Sequence, residues 1–367
     1  MLREASIRVL VAAIVACQPA TEAQGTEQLP RDGARYFPAI EWRRAEPAQV
    51  GLDAGKLSGL VDRLRSNAIP GIHSLLVVRH GYVAVEEYFN GSSATDVHTM
   101  QSVSKSVTSL ITGIAIDEGK LTTSTRIFDV VPAYDTLIRG DERKRAITVG
   151  HLLQMRSGIN YFEQPYPGSP HERLNTSSGD WVVTALGEPM NAEPGGLWQY
   201  NSGGVIALAR VVQVATGLRF YQYAREKLFT PMGITTQYWI VSRFDSLPHT
   251  GGGLHLRATD LARVGYLVLR NGIWNGTRLV SESWLQESTR SHTTGSWPLG
   301  GYATSYGYLW WLMPVGNENM IVASGNMNQW IFVLPSQDLV ITVTGSSNQA
   351  SVPDFVHRDI LPALVRD

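Results

Sequence analysis

The sequence predicts an α+β fold: an antiparallel β-sheet flanked by N- and C-terminal helices, with a mostly helical domain inserted between its two halves. Three observations predict it. Apolar runs of strand length, Ser74–Val78 and Tyr82–Phe89, flank the turn residues Arg79-His80-Gly81 near the front of the chain. Strand-like runs return only in the last third, at Tyr306–Met313, Met320–Ala323, Gln329–Leu334 and Leu339–Thr344, with turns at 315–318 and 335–338 that make them antiparallel neighbours. Between 121 and 247 strand signals fade and helical pieces dominate. The sheet domain is therefore expected over 51–120 and 248–367, and the helical domain over 121–247.

Each element has a local cause. Asp53 is placed to cap a helix that carries Leu57, Leu60, Val61 and Leu64 on one face. After the hairpin, Val103, Val107, Leu110, Ile111 and Ile114 recur at helical spacing, and Gly119 follows in the position where a helix stops. The residues between them are small (Ser106, Thr108, Ser109, Gly113), as in a helix packed on several sides. Within the insert, Ile147–Met155 and Ser202–Ala215 read as helices, the second stopped by Gly217, and Pro165–Asp180 reads as a long polar loop. Gly251-Gly252-Gly253 marks the return to the sheet domain; Thr259 is expected to cap Asp260–Leu269, and Ser281 to open another helix around Trp284. A last helix is expected over Asp354–Val365, bent at Pro362.

The first 23 residues read as an export signal: Arg3 and Arg8 precede an apolar run from Val9 to Ala16, too short to span a bilayer. Ile14-Val15-Ala16-Cys17 resembles the lipobox of bacterial lipoproteins, so membrane attachment through a lipidated Cys17 is one expectation and ordinary cleavage near Ala23 the other. Either places the protein in the periplasm. A polar tether is expected over 24–50. Cys17 is the single cysteine, which rules out an intramolecular disulfide and a cysteine-rich metal site. With 31 Lys+Arg against 32 Asp+Glu and no basic run, nucleic acid is not an expected partner. The nine histidines show no H-x-H or H-E-x-x-H spacing, so neither a metal nor another cofactor is expected; His151 and His255 read as structural, with a place at the border of a pocket as the alternative for His255 beside the glycine run. No G-x-S-x-G elbow occurs, because Tyr200 stands where its first glycine would be.

The chemistry gathers on three stretches. Ser102 and Lys105, three positions apart at the start of the buried helix, lie on the same side of it. A serine hydroxyl is a weak nucleophile until a base takes its proton. Lysine is such a base only when neutral, so the site must pull its pKa down from about 10.4 by roughly three units. Tyr200, on a tight glycine-flanked loop just before a helix, can relay a proton between nucleophile and leaving group if a cation lowers its pKa. Ala323-Ser324-Gly325-Asn326 ends a strand, where the backbone N–H of Asn326 can join that of Ser102 in holding an oxyanion. The ordinary alternatives are a surface Ser–Lys pair, a core tyrosine and an edge-strand serine. Trp198, Trp310, Trp311 and Trp330 are candidates for cleft walls, with core packing as the alternative.

In this order, Ser102-Val103-Ser104-Lys105, Tyr200-Asn201-Ser202 and Ala323-Ser324-Gly325 resemble the three motifs of the serine β-lactamase-like superfamily, in the branch of class C β-lactamases, D-alanyl-D-alanine carboxypeptidases and related esterases. The stretches 147–158 and 257–263 resemble it too. The resemblance implies a β-lactamase/transpeptidase-like fold with about five antiparallel strands and a metal-free acyl-serine mechanism. It assigns Ser102 as nucleophile, Lys105 as base and Tyr200 as relay. The N–H groups of Ser102 and Asn326 become the oxyanion hole, Ser202 a hydrogen-bond partner of Lys105 or substrate, and Ser324 and Gly325 substrate-binding residues. Two departures bear on substrate. Ser202 replaces the asparagine of Tyr-x-Asn, and Ala323 replaces the lysine of Lys-Thr-Gly, which would help bind a substrate carboxylate. These versions look more like aminohexanoate-dimer hydrolases and the esterase branch. A small-molecule ester, amide or peptide is the expected substrate. β-Lactamase or D-Ala-D-Ala carboxypeptidase activity is the alternative, or a penicillin-binding-like sensor without turnover.

Overall fold

A computed structural model describes residues 37–38, 41–163, 167–294 and 298–365. The export signal expected over 1–23, with Cys17, lies outside the described residues. So does most of the tether expected over 24–50, but its end is no tether. Trp42 is buried edge-on against Tyr266, and backbone bonds from Val83 N to Arg43 O (2.9 Å) and from Ala45 N to Val83 O (3.2 Å) draw the chain alongside the sheet. An open sheet edge offers such backbone groups to any neighbouring strand.

Helix α1 (Ala54–Arg65) begins where the Asp53 carboxylate accepts the Lys56 N–H at 3.1 Å, and it buries Leu57, Leu60, Val61 and Leu64 as the periodicity predicts. Strands β1 (Ile72–Arg79) and β2 (Tyr82–Tyr88) are joined by His80 and Gly81, both left-handed (φ 54° and 84°). Two such residues give the turn whose twist matches that of a hairpin. Strands β3 (Trp311–Val315), β4 (Glu318–Gly325), β5 (Gln329–Leu334) and β6 (Leu339–Gly345) complete the body of the sheet, in the order β2-β1-β6-β5-β4-β3. The two-residue strands Ser305–Tyr306 and Thr293–Thr294 extend it to eight, where the resemblance implied about five. The strand expected over Tyr306–Met313 is broken because Leu309 adopts a left-handed φ of 64°. Every residue of β5 and β6 is buried, which is why both read as unbroken apolar runs.

Three helices matter for the site. Helix α2 (Val103–Asp117) is buried at every position from Val103 to Ala115 and packs on β4, β5 and α3 (Ser202–Thr216). Gly119 ends it in the left-handed conformation, φ 70°, as expected. Helix α4 (Ala258–Leu269) lies on β5 and β6 so closely that a Cβ on Gly265 would come within 2.6 Å of Val340. Its cap is Arg257, not Thr259, because the preceding residues Leu254–Arg257 are a strand that runs directly into the helix. The C-terminal helix begins at Val352 and passes through a wide π turn (Val356–Ile360) into a tight 3-10 turn around Pro362, in place of a single bent helix. Residues 35–367 form one compact unit, and among the described residues the only strand within 121–247 is Tyr238–Trp239. That strand, Leu254–Arg257 and Val97–Thr99 make a second, three-stranded sheet.

Candidate active site

The small sheet sets the start of α2. Val97–Thr99 pairs with Leu254–Arg257, and Met100 N donates to Leu254 O at 2.7 Å. The chain then reverses through Gln101, whose φ of 46° is unusual for a residue with a side chain. Ser102 follows at φ −66° and opens the helix with no side-chain cap. Its hydroxyl is free for another use. Half-buried, Ser102 lines a cavity of about 760 Å3.

Lys105 is 1% exposed, and its Nζ lies 2.9 Å from Ser102 Oγ, 2.6 Å from the Gly251 carbonyl oxygen and 4.6 Å from the centroid of the Tyr200 ring. Burial pulls its pKa down to about 8, against the opposing pull of the Glu163 carboxylate. A neutral amine has two N–H groups and one lone pair. With one N–H held by Gly251, the lone pair can face Ser102. The Tyr200 hydroxyl is close enough to the Ser102 side chain for that neighbour to act on its pKa, and its ring stacks on Trp311 at 5.9 Å. Burial raises the Tyr200 pKa, and Ser102 opposes this only in part. The expectation of a pKa lowered by a cation is thereby corrected: the ammonium lies over the ring face, in a dry setting, and the tyrosine stays a proton donor.

The other predicted residues converge on the same cavity. Ser324, Gly325 and Asn326 line it. A Cβ on Gly325 would lie 2.5 Å from Met100 O and 3.0 Å from Ser102 N, so only glycine lets the end of β4 touch the start of α2. Strand β4 is internal, not an edge: it pairs with β5 through Gly325, and with β3 only as far as Val322. Its last three residues therefore have one open side. Ser202 lines the cavity too, but the acceptor that shares Lys105 with Ser102 is the Gly251 carbonyl. The Ser202 N–H donates to Glu163, and a Cβ on Gly251 would come within 2.8 Å of Ser202 Cβ.

Several cavity residues carried no sequence signal that marked them. The glycine run reads as punctuation, yet it supplies the second acceptor of Lys105. The polar loop read over Pro165–Asp180 contains a helix, Pro170–Thr176, capped by Ser169, whose hydroxyl accepts the Glu172 N–H at 3.1 Å. Ser-x-x-Glu was the readable clue. This helix brings His171 within 3.2 Å of the Glu163 carboxylate, and Asn175 within 3.1 Å of His249 Nε2. His249 sits edge-on to Trp181; burial, and then the charge of Lys105, pull its pKa down to about 4. His255 stacks on Tyr238 at 4.3 Å, the structural place read for it first, and is not among the cavity's described lining residues. Of the four candidate tryptophans, Trp311 and Trp330 line the cavity; Trp198 packs against Trp311 and Trp310 is fully buried. Among the described residues no three His, Cys, Asp or Glu side chains are grouped to hold a metal.

The family model described as Beta-lactamase matches residues 56–364. The chain belongs to that family. It is a serine hydrolase of the β-lactamase-related type. Among curated proteins, the 6-aminohexanoate-dimer hydrolase of Paenarthrobacter ureafaciens is 28% identical over 82% of this chain and 79% of its own. The esterase EstB of Burkholderia gladioli is 26% identical over 47% of this chain and 49% of its own. Among solved structures, the octameric penicillin-binding protein homologue from Pyrococcus abyssi superposes with a TM-score of 0.65 at 20% identity, covering 85% of this chain and 78% of that one.

Proposed function

We propose that this member of the Beta-lactamase family cleaves an ester or amide through an acyl-serine intermediate. Ser102 Oγ attacks the carbonyl carbon as its proton passes to neutral Lys105. The oxyanion lies between the N–H groups of Ser102 and Asn326. Tyr200 gives its proton to the leaving oxygen or nitrogen, and the phenolate left behind takes one from the Lys105 ammonium, which restores both groups. Water then repeats the attack in reverse roles and frees the acid. The observation that carries this reading is the 2.9 Å contact of a fully buried lysine with Ser102 Oγ, in a pocket whose burial lowers the amine's pKa to about 8.

The cavity favours esters and amides over β-lactams and D-Ala-D-Ala peptides. Ala323 stands where the related β-lactamases carry lysine, and Glu163 is the one acidic or basic residue besides histidine among the described lining residues. Among the described lining residues a substrate carboxylate meets no lysine or arginine. The relatives named as an aminohexanoate-dimer hydrolase and an esterase support the same choice. Export to the periplasm, read from the leader, completes the proposal and is checked by cell fractionation.

The test uses a fluorophosphonate probe and p-nitrophenyl acetate. The expected result is labelling that vanishes in Ser102→Ala, with steady turnover of the ester. Labelling that persists in that variant would put the nucleophile elsewhere; a single burst without turnover would make the protein an acyl trap.

A further inference from the structure

Beyond the reacting groups, the cavity opens onto an apolar shelf. The two-residue strand Tyr238–Trp239 alternates sides: Trp239 turns inward to pack against Phe220, leaving Tyr238 and Ile240 on the other side. Ile240 lines the cavity and is 51% exposed; Tyr238, beside it, is 52% exposed. A large apolar side chain left open on a pocket wall, continued by a half-exposed ring two positions along the same face, is a binding feature more often than an accident.

The shelf is built, not loose. Ile240 N donates to Gly253 O at 2.8 Å, and its carbonyl accepts His249 N at 2.8 Å. The shelf is thus fastened at both ends to the glycine loop that holds Lys105 through Gly251. The following turn is closed by Ser242 N to Leu247 O (2.8 Å) and by the Arg210–Asp245 ion pair. Tyr238 is steadied by its stacking on His255. Trp181 and Leu299 add to the apolar lining of the cavity. Ile240 and Leu299 offer no hydrogen bond and the Trp181 indole N–H already donates to Ser177 O at 3.4 Å, which leaves the Tyr238 hydroxyl as the polar group of the shelf.

We propose that Ile240 and Tyr238 form a subsite for an unbranched alkyl chain, so that the preferred substrates are esters or amides with a medium-length apolar arm. This rests on the ester or amide reading above and deepens it. The alkyl chain can belong to the acyl or to the leaving side of the scissile bond. Burying a methylene fully is worth about fourfold, and on a half-open shelf roughly twofold.

Two substrate series separate the sources. p-Nitrophenyl esters from C2 to C8 lengthen the acyl arm; alkyl acetates from ethyl to octyl lengthen the alcohol. In one series kcat/KM is expected to rise on the order of fiftyfold over six methylenes. Ile240→Asn should cut that C8-to-C2 ratio about tenfold, Tyr238→Ser should cut it less, and Ile240→Leu should keep it. Fluorophosphonate labelling of each variant confirms a folded site. Flat profiles in both series, or an unchanged ratio in a labelled Ile240→Asn protein, overturn the subsite while leaving the hydrolase reading intact. A wild-type protein that neither labels nor turns over any ester overturns both.

Discussion

Helices α2 and α3 both begin at the cavity, and their first turns are finished in opposite ways. At the start of α3, Asn201 Oδ1 accepts the Gly204 N–H at 2.7 Å and the Glu163 carboxylate accepts the Ser202 N–H, so this end is closed. At the start of α2 the Val103 and Ser104 N–H groups find only the carbonyls of Met100 and Gln101, and no side chain caps it. Serine is a favoured capping residue. Here its hydroxyl is engaged by Lys105 instead, at 2.9 Å. Its N–H, ahead of the first helical turn, has no intrahelical acceptor. One helix end is closed by side chains; the other goes without a side-chain cap, which leaves its hydroxyl and N–H for the reaction proposed above.

The largest effects should come from removing what the open end gained. Lys105→Ala is expected to lower kcat by about a thousandfold, and Tyr200→Phe by about a hundredfold, within the range for general acid–base groups. Steady-state ester hydrolysis measures both. A Lys105→Ala enzyme with full activity would end the base assignment. The charge state of Lys105 gives the next test. Its pKa of about 8 means the active, neutral amine is the minor form at neutral pH, so kcat/KM should climb about tenfold per unit below pH 8 and level off above it. Glu163 pulls that pKa upward, so Glu163→Gln, which keeps an acceptor for Ser202 N, should move the inflection to lower pH. An inflection that stays put or moves up would show that Glu163 serves the α3 end alone.

The same contrast explains what could be read in the sequence. The closed ends and turns were legible because their chemistry is local: Asp53 and Ser281 as caps, His80-Gly81 as a hairpin turn, Gly119 and Gly217 as stops. Ser102, Lys105 and Tyr200 were legible because two lie one helical turn apart and the third sits in a matching motif. Gly251 and Glu163 were not. The carbonyl of Gly251 carries no side-chain signal, and it meets Lys105 across 146 positions. Glu163 reaches Ser202 across 39. Nor could the sequence reveal that Tyr200 keeps its proton, since that depends on the burial supplied by packing against Tyr306 and Trp311. The break in the predicted strand at Leu309 was hidden for a related reason: nothing in an apolar run announces one residue with positive φ.

The smallest expected effects set the two helix ends directly against each other. Asn201→Ala removes the cap of α3 and should cost about 1 kcal/mol of stability, the usual loss for a capping residue. Gln101→Gly acts on the α2 side. A non-glycine residue in the left-handed region carries about 1–2 kcal/mol of strain, part of which glycine returns as added freedom in the unfolded chain. The substitution should therefore stabilise the protein by about 0.5–1 kcal/mol. Urea midpoints for the two variants should move in opposite directions, Asn201→Ala downward and Gln101→Gly upward, with equal slopes. If Gln101→Gly also destabilises, the reversal before Ser102 is held by contacts of the glutamine side chain and not imposed against its backbone preference. The open end of α2 would then be an ordinary turn.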